Sequence, residues 1–337
     1  MRPLTVAILG AGGAVGGEIV RMLASRGFPV GQLRLLATAR SAGSAVEFGG
    51  QMLTIAEVQA DSFAGVDLVF SCATAEASRQ CVPLAVESGA VVIDKSNAFR
   101  MDLSVPLVVP EVNPGDLYGH PGVVASPNCS TIQMVVALKP LLDAVGLRRV
   151  IVSTYQAVSG AGRDAIDELT AQTKAIAAGE PVEVRAFPRQ IAHNLFPHID
   201  RFDERGNTAE ELKMVFETRK ILHLPDLPVV ATCVRVPVVT GHSEAIYVET
   251  EHPLSAARAR ELLSRAPGVT VMDDPQRAVY PTPLDAAGRD DVFVGRVRED
   301  PSLATGLSLW VVSDNLRKGA ATNAVQIAEW MLAHGLL

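Results

Sequence analysis

Ser126-Pro127-Asn128-Cys129-Ser130-Thr131 presents a cysteine where a thiolate would be favoured. Pro127 breaks regular structure, and Thr131 opens the apolar run Ile132-Gln133-Met134-Val135-Val136-Ala137-Leu138. The run predicts a buried helix that continues to about Val145 past a bend at Pro140. Cys129 then lies at the helix N-terminus, where unpaired backbone N–H groups and the helix dipole favour an anion. A thiol in that position ionises more easily and becomes a better nucleophile. The competing reading is a small buried residue in a tight turn, and the turn by itself does not separate the two.

Arg235-Val236-Pro237-Val238-Val239-Thr240-Gly241-His242-Ser243-Glu244 supplies a histidine able to complete a Cys/His couple. Gly241 suggests a turn that exposes His242, which sets it apart from the other six histidines. Thr154-Tyr155-Gln156-Ala157-Val158-Ser159-Gly160-Ala161-Gly162 lies between a strand and a helix. Gln156 could orient a carbonyl or carboxylate there, and Ser159-Gly160 could approach a flat ring. A plain glycine-rich turn would account for the same residues.

Gly10-Ala11-Gly12-Gly13-Ala14-Val15-Gly16 follows the first expected strand and opens the first expected helix. The spacing is G-x-x-G-x-x-G at Gly10, Gly13 and Gly16, with five glycines in the eight residues to Gly17. Such a loop lets backbone approach a pyrophosphate, with N–H donors from the helix start. The end of the second strand reads Ala37-Thr38-Ala39-Arg40-Ser41-Ala42-Gly43, without the Asp or Glu that would bind a ribose 2′-hydroxyl. Arg40 favours NADP over NAD, because a guanidinium can pair with a 2′-phosphate. A solvated loop arginine is the alternative.

The elements that must position these residues alternate in the first third. Strands are expected at Leu4–Leu9, Leu33–Ala37, Leu68–Ser71 and Val91–Asp94, with helices at Val15–Arg26 and Ala75–Ser88. That rhythm predicts an α/β, Rossmann-like parallel sheet. Beyond Cys129 the pattern changes to strands at Arg148–Gln156, Val229–Val239, Glu244–Thr250, Val292–Val297 and Leu307–Ser313. Helices are expected at Gly162–Ala178 and Ala209–Leu222, separated by a loop-rich stretch from Gly179 to Arg205. Clustered strands of this kind suggest a mixed sheet in a second, α+β domain. The expected division is a nucleotide-binding domain at 1–130 and a catalytic and dimerisation domain at 131–314. A final helix from about Lys318 to His334, within residues 315–337, is expected to pack back on the first domain.

The chain of 337 residues is long enough for two domains, and 48% hydrophobic residues supply their cores. A net charge of −7 argues against a nucleic-acid partner. The four cysteines form no C-x-x-C pair and no metal-ligand spacing, which suits a reducing cytoplasm. The apolar run before Gly10 is too short for a signal peptide, and no stretch approaches a membrane span.

Taken together, these stretches resemble the aspartate-β-semialdehyde dehydrogenase family. The likeness rests on the glycine loop, Ala39-Arg40-Ser41, Ser96-Asn97-Ala98-Phe99-Arg100, Ser126 to Thr131, Tyr155 to Gly162, Glu210-Glu211-Leu212-Lys213, Arg235 to Glu244 and Ser313 to Ala320. Only Cys72 and Lys95 stand where other small or polar residues are expected. The resemblance implies that Cys129 is a nucleophile forming a thioacyl intermediate and His242 its acid/base. It implies that Gln156, Glu210 and Arg235 bind an amino-acid substrate, with Arg235 on the α-carboxylate and Glu210 on the α-amino group. Arg100 and Lys213 would bind phosphate. Gly10, Gly13, Ala14, Val15, Gly16, Arg40, Ser41, Ser71, Ser159, Gly160 and Asn315 would serve NADP.

The implied reaction interconverts aspartate 4-semialdehyde and 4-aspartyl phosphate, feeding biosynthesis of lysine, threonine, methionine, isoleucine and diaminopimelate. A cytoplasmic homodimer without metal is the implied form. A reductase of another acyl phosphate, such as N-acetylglutamyl phosphate, is the nearest rival, and Glu210 argues against it because a carboxylate suits a free ammonium. The glycine loop argues against a Cys/His hydrolase. Cys129 and His242 together argue against an inactive nucleotide-binding protein.

Overall fold

The computed structural model describes residues 2–39 and 42–337. The chain divides into two compact units, one running to Asn128 and closed by Ala320–Leu337, the other spanning Cys129–Gly319.

In the first unit, β1 (Leu4–Leu9), α1 (Ala14–Ser25), β2 (Val30–Ala37), β3 (Ala45–Phe48), β4 (Gln51–Thr54), β5 (Ala56–Glu57), β6 (Leu68–Ser71), α2 (Ala75–Glu87), β7 (Val91–Asp94) and β8 (Val123–Ala125) follow in order. Six of these strands form one parallel sheet in the order β5-β2-β1-β6-β7-β8. β1 and β6 are almost wholly buried along their length, which is why they read as unbroken apolar runs rather than alternating ones. Chain order reverses beside β1, and a ligand crevice in such sheets opens at the carboxyl ends of the strands there. The short β3–β4 hairpin turns through Gly49-Gly50, both at positive φ (58° and 80°). The hairpin, β5 and β8 are absent from the sequence expectation.

The second unit holds α3 (Cys129–Val145), β9 (Leu147–Gln156), α4 (Arg163–Ala178), α5 (Ala209–Ile221), β10 (Val229–Arg235), β11 (His242–Thr250), α6 (Ala256–Arg265), β12 (Val269–Val271), α7 (Pro283–Ala286), β13 (Val292–Asp300) and β14 (Leu303–Ser313). Its sheet runs β10-β9-β11-β14-β13-β12 and is mixed, with β10 parallel to β9 and β11 antiparallel to both β9 and β14. α3, α5 and α6 pack on this sheet. α3 is buried at every position from Ser130 to Leu138, which a helix apolar on all sides requires. It begins at Cys129 itself, two residues before the expected apolar run.

β10 stops at Arg235 rather than at the expected Val239, because Pro237 has no N–H to give the ladder. The last helix also differs: Arg317–Ala321 form a wide π-type turn, and α8 proper is Thr322–Ala333. α8 joins the first unit's core through Ala324, Val325, Ile327, Ala328 and Met331. Among the described residues no helix is long and apolar enough to cross a membrane.

Candidate active site

Cys129 is the first residue of α3 and is half-buried. The wide turn at Arg317–Ala321 brings Gly319 against it, so that a Cβ at position 319 would lie 2.9 Å from the Cys129 Cβ. Gly319 is held there by its N–H, which donates to Asp314 O at 3.0 Å. A π-type turn is an unfavourable way to continue a helix and often marks a functional position.

His242 and Arg235 converge on one residue, Ala157. The Ala157 N–H donates to His242 Nδ1 at 3.0 Å, and Arg235 Nη1 donates to Ala157 O at 2.6 Å. Because Nδ1 accepts, the neutral imidazole carries its proton on Nε2. The turn at Gly241 does not expose His242 as expected: the ring is fully buried, and its Nε2 has no hydrogen-bond partner among the described residues. Burial, and then the Arg235 guanidinium, holds His242 well below the ordinary imidazole value. A Cβ on Gly160 would stand 3.2 Å from both Arg235 Nη1 and His242 Cε1, and 3.3 Å from His242 Nε2. Glycine at 160 therefore leaves open the space that these two side chains face. Burial also weakens the hold of Arg235 on its proton, offset in part by the charges of Glu210 and Cys129.

A second cluster adjoins the first. Gln156 Nε2 donates to Thr154 Oγ1 at 3.2 Å and to Glu210 Oε1 at 3.1 Å. Lys213 Nζ reaches Glu210 Oε2 at 3.2 Å and Asp200 Oδ2 at 2.9 Å. The Glu210–Lys213 spacing reads as an exposed i,i+3 pair, yet Glu210 is only 5% exposed. A capping box explains its placement: Thr208 Oγ1 accepts from Glu211 N and Glu211 Oε2 accepts from Thr208 N. The same Glu211 accepts from Cys233 N at 3.0 Å, which pins the start of α5 to β10. Burial alone would lower the Lys213 pKa, but the charges and hydrogen bonds of Glu210 and Asp200 prevail and raise it.

Ser159 and Asn315 bind one another, Asn315 Nδ2 donating to Ser159 Oγ at 2.9 Å. Asn315 Oδ1 accepts from Gly241 N at 2.9 Å. Both side chains are thus committed to bracing the turn before His242, a structural duty beyond the expected cofactor contact.

In the first unit, Gly10 lies at φ +86°, and a Cβ there would come within 2.8 Å of the Cys72 carbonyl. A Cβ on Gly16 would meet Gly10 O at 2.4 Å. Gly13 precedes α1 with no side-chain cap, and the first turn, which begins with Ala14 and Val15, carries no acidic residue. This is a cradle of bare backbone with helix N–H groups unmasked, which fits a dinucleotide pyrophosphate. Val15 packs on the core. Ser71, expected to line the cofactor site, is fully buried and pairs with Ser78 Oγ at 2.9 Å. Ser78 and Ser96 in turn donate to Asp94 at 2.9 and 2.6 Å, fixing the loop that leads to Arg100. Arg100 is buried and donates to Lys95 O at 2.8 Å. Arg40 and Ser41 lie outside the described residues. No cluster of His, Cys, Asp and Glu among the described residues could hold a metal ion.

Comparison with known proteins places the chain in a family. Residues 5–120 match the family model for the semialdehyde dehydrogenase NAD binding domain, and residues 138–318 match that for the semialdehyde dehydrogenase dimerisation domain. An aspartate-semialdehyde dehydrogenase of Bacillus subtilis is 53% identical over 336 residues, covering 97% of each chain. The chain belongs to the aspartate-semialdehyde dehydrogenase family. Within that family, the crystal structure of the Vibrio cholerae enzyme II complexed with ASA superposes with a TM-score of 0.96 at 47% identity, covering 99% of both chains. A Candida albicans aspartate semialdehyde dehydrogenase with NADP matches at a TM-score of 0.78 and 26% identity, covering 99% of this chain and all of that one.

Sequence reasoning missed Ala157, Gly319 and Asp94. The first acts only through its backbone, which no residue type advertises. Gly319 sits inside the stretch Ser313 to Ala320, and its glycine was the available signal.

Proposed function

We propose that this enzyme interconverts aspartate 4-semialdehyde and 4-aspartyl phosphate with NADP and inorganic phosphate, through a thioester on Cys129. The observation that carries the reading is the convergence of His242 Nε2 and Arg235 Nη1 on Gly160, in the same unit as a cysteine that opens α3. The helix start and the Arg235 charge favour the Cys129 thiolate. Its Sγ adds to the aldehyde carbon, and the developing oxyanion takes a hydrogen bond from His242 Nε2–H. His242 in this reading begins as a proton donor, since its Nδ1 is already occupied by Ala157 N–H. NADP, when bound on the glycine cradle of the first unit, supplies hydride transfer at the substrate carbon. Phosphate then attacks the thioester carbonyl, and Sγ leaves as the thiolate.

Arg235 presents a planar fork to the substrate carboxylate, and Glu210 offers a carboxylate to its ammonium. Arg100 and Lys213 are assigned to phosphate, with Lys213 exchanging one of its two carboxylate partners for that ligand. Homodimerisation would cover the sheet face that carries Tyr155 and Trp310, whose rings are 5.5 Å apart, and Val230, which is 51% exposed. The cysteines, all free, suit a cytoplasmic enzyme. The test is phosphate-dependent reduction of NADP⁺ with aspartate semialdehyde set against N-acetylglutamate semialdehyde. Turnover restricted to the first substrate is expected, and preference for the acetylated one would overturn the assignment of Glu210.

A further inference from the structure

A second polar pair lies one step below the cysteine and histidine. Gln133 follows Cys129 by one turn of α3, and Glu244 follows His242 by one two-residue repeat of β11, so each shares a face with its catalytic neighbour. α3 packs directly on β11. Gln133 is 1% exposed and Glu244 fully buried. Gln133 acts electrostatically on the Glu244 carboxyl, yet Gln133 Nε2 and both Glu244 oxygens are buried without a hydrogen-bond partner among the described residues.

Among the described residues, the strand neighbours of Glu244 offer it no cation. Thr154 of β9 and Val311 of β14 flank it in register, and Cys233 stands beyond on β10. The charge that reaches it from α5 is Glu210, of the same sign. An ionised carboxyl here would be a buried charge with no cation on its strand neighbours, a far costlier state than the neutral acid. Burial first, and then Glu210, hold its proton well above the ordinary carboxylate range, with Gln133 opposing only in part. A neutral acid also spares the Cys129 thiolate a second nearby negative charge.

We propose that Gln133 and Glu244 form an uncharged positioning pair, which locks α3 to β11 one level below Cys129 and His242 and so sets the spacing of the two. The inference rests on the reading of Cys129 and His242 given above. Two variants of the full-length enzyme test it. Glu244→Leu, which removes the polar group, is expected to lower kcat and slow iodoacetamide alkylation of Cys129 by roughly 10- to 100-fold, as misplacement of a reacting group does, while the KM for phosphate holds. Glu244→Gln, isosteric and uncharged, is expected to recover most of both losses.

A thermal readout separates the two ideas. Native Glu244 keeps a proton that the unfolded chain has released, so wild-type stability falls as pH rises above the ordinary glutamate value of about 4.3. Glu244→Gln lacks that dependence, and its Tm should climb relative to wild type as pH rises above about 4.3. Loss of turnover in Glu244→Gln equal to that in Glu244→Leu, or a Tm difference that stays flat with pH, would overturn the proposal. Full turnover in Cys129→Ala would instead undo the reading of the couple, and the thermal comparison, which needs no turnover, would still decide the pair.

Discussion

Replacing Gly160 with Ala adds one methyl group to the point where His242 and Arg235 converge. The added Cβ would stand 3.2 Å from Arg235 Nη1 and His242 Cε1 and 3.3 Å from His242 Nε2. Ordinary contact begins at about 3.5–4.0 Å, so the neighbours must retreat by roughly 0.3–0.5 Å at least. Neither moves freely, because Ala157 holds His242 at 3.0 Å and Arg235 at 2.6 Å. A misplacement of about 1 Å can cost about 100-fold in rate, close to 2.7 kcal/mol. Scaled to the smaller shift, the cost is about 0.8–1.4 kcal/mol, or roughly 4- to 10-fold in kcat. Gly160 does not lie at positive φ, so alanine fits its backbone and the fold should be little affected. Steady-state kinetics with aspartate semialdehyde, phosphate and NADP⁺ would read the effect. Unchanged kcat would refute the crowding argument. A loss confined to the KM for NADP⁺ would assign the space at Gly160 to the nicotinamide and not to the two side chains.

Gly319→Ala places a Cβ 2.9 Å from the Cys129 Cβ, closer than the contact at Gly160; slower iodoacetamide alkylation of Cys129 and a larger fall in kcat are expected, and unaltered alkylation would contradict the packing. His242 is depressed by burial and by Arg235, so if its neutral ring is the working form, as proposed, turnover should persist on acidification through the ordinary histidine value of about 6.5 and fail only well below it. The unfolded chain takes up that proton first, so stability should decline as pH drops through about 6.5, a component that His242→Asn should remove from the Tm profile. Arg40→Ala should weaken NADP⁺ by roughly 10- to 150-fold, the worth of one charge-assisted bond, and leave NAD⁺ nearly unchanged; equal loss for both cofactors would make Arg40 a surface residue.

The parallel sheet of the first unit was legible because buried strands write continuous apolar runs and glycines punctuate them, as at Leu4–Leu9 followed by Gly10. The place of Cys129 at a helix start was legible for a similar reason, since a proline followed by a wholly apolar run leaves few other arrangements. Short exposed elements escaped: β3 and β4 alternate half-buried and exposed positions over only four residues each, too brief a pattern to stand out. The Glu210–Lys213 pair was visible as a spacing but not as a buried pair. Its burial depends on the capping box at Thr208 and on Asp200, thirteen residues upstream of Lys213 in a loop without regular structure.

What sequence could not reveal is the part the backbone plays. Ala157 lies between Gln156 and Val158 and has no side-chain chemistry of its own. Its N–H fixes the His242 tautomer, and its carbonyl fixes the Arg235 guanidinium, so a single residue orients both groups that face the open space at Gly160. Ala157 can do this because the chain leaves β9 at Gln156, where its N–H and C=O are released from the ladder and become available to side chains. Arg235 occupies the corresponding last position of β10, in register with Gln156, and His242 the first position of β11. Three strand ends therefore meet at one level of the second sheet, and the register that puts them there also brings Glu244 and Thr154 opposite each other beneath. The placement of these side chains rests on strand register as much as on residue identity, which is why His242 could be singled out from the sequence while the proton on its Nε2 needed the fold.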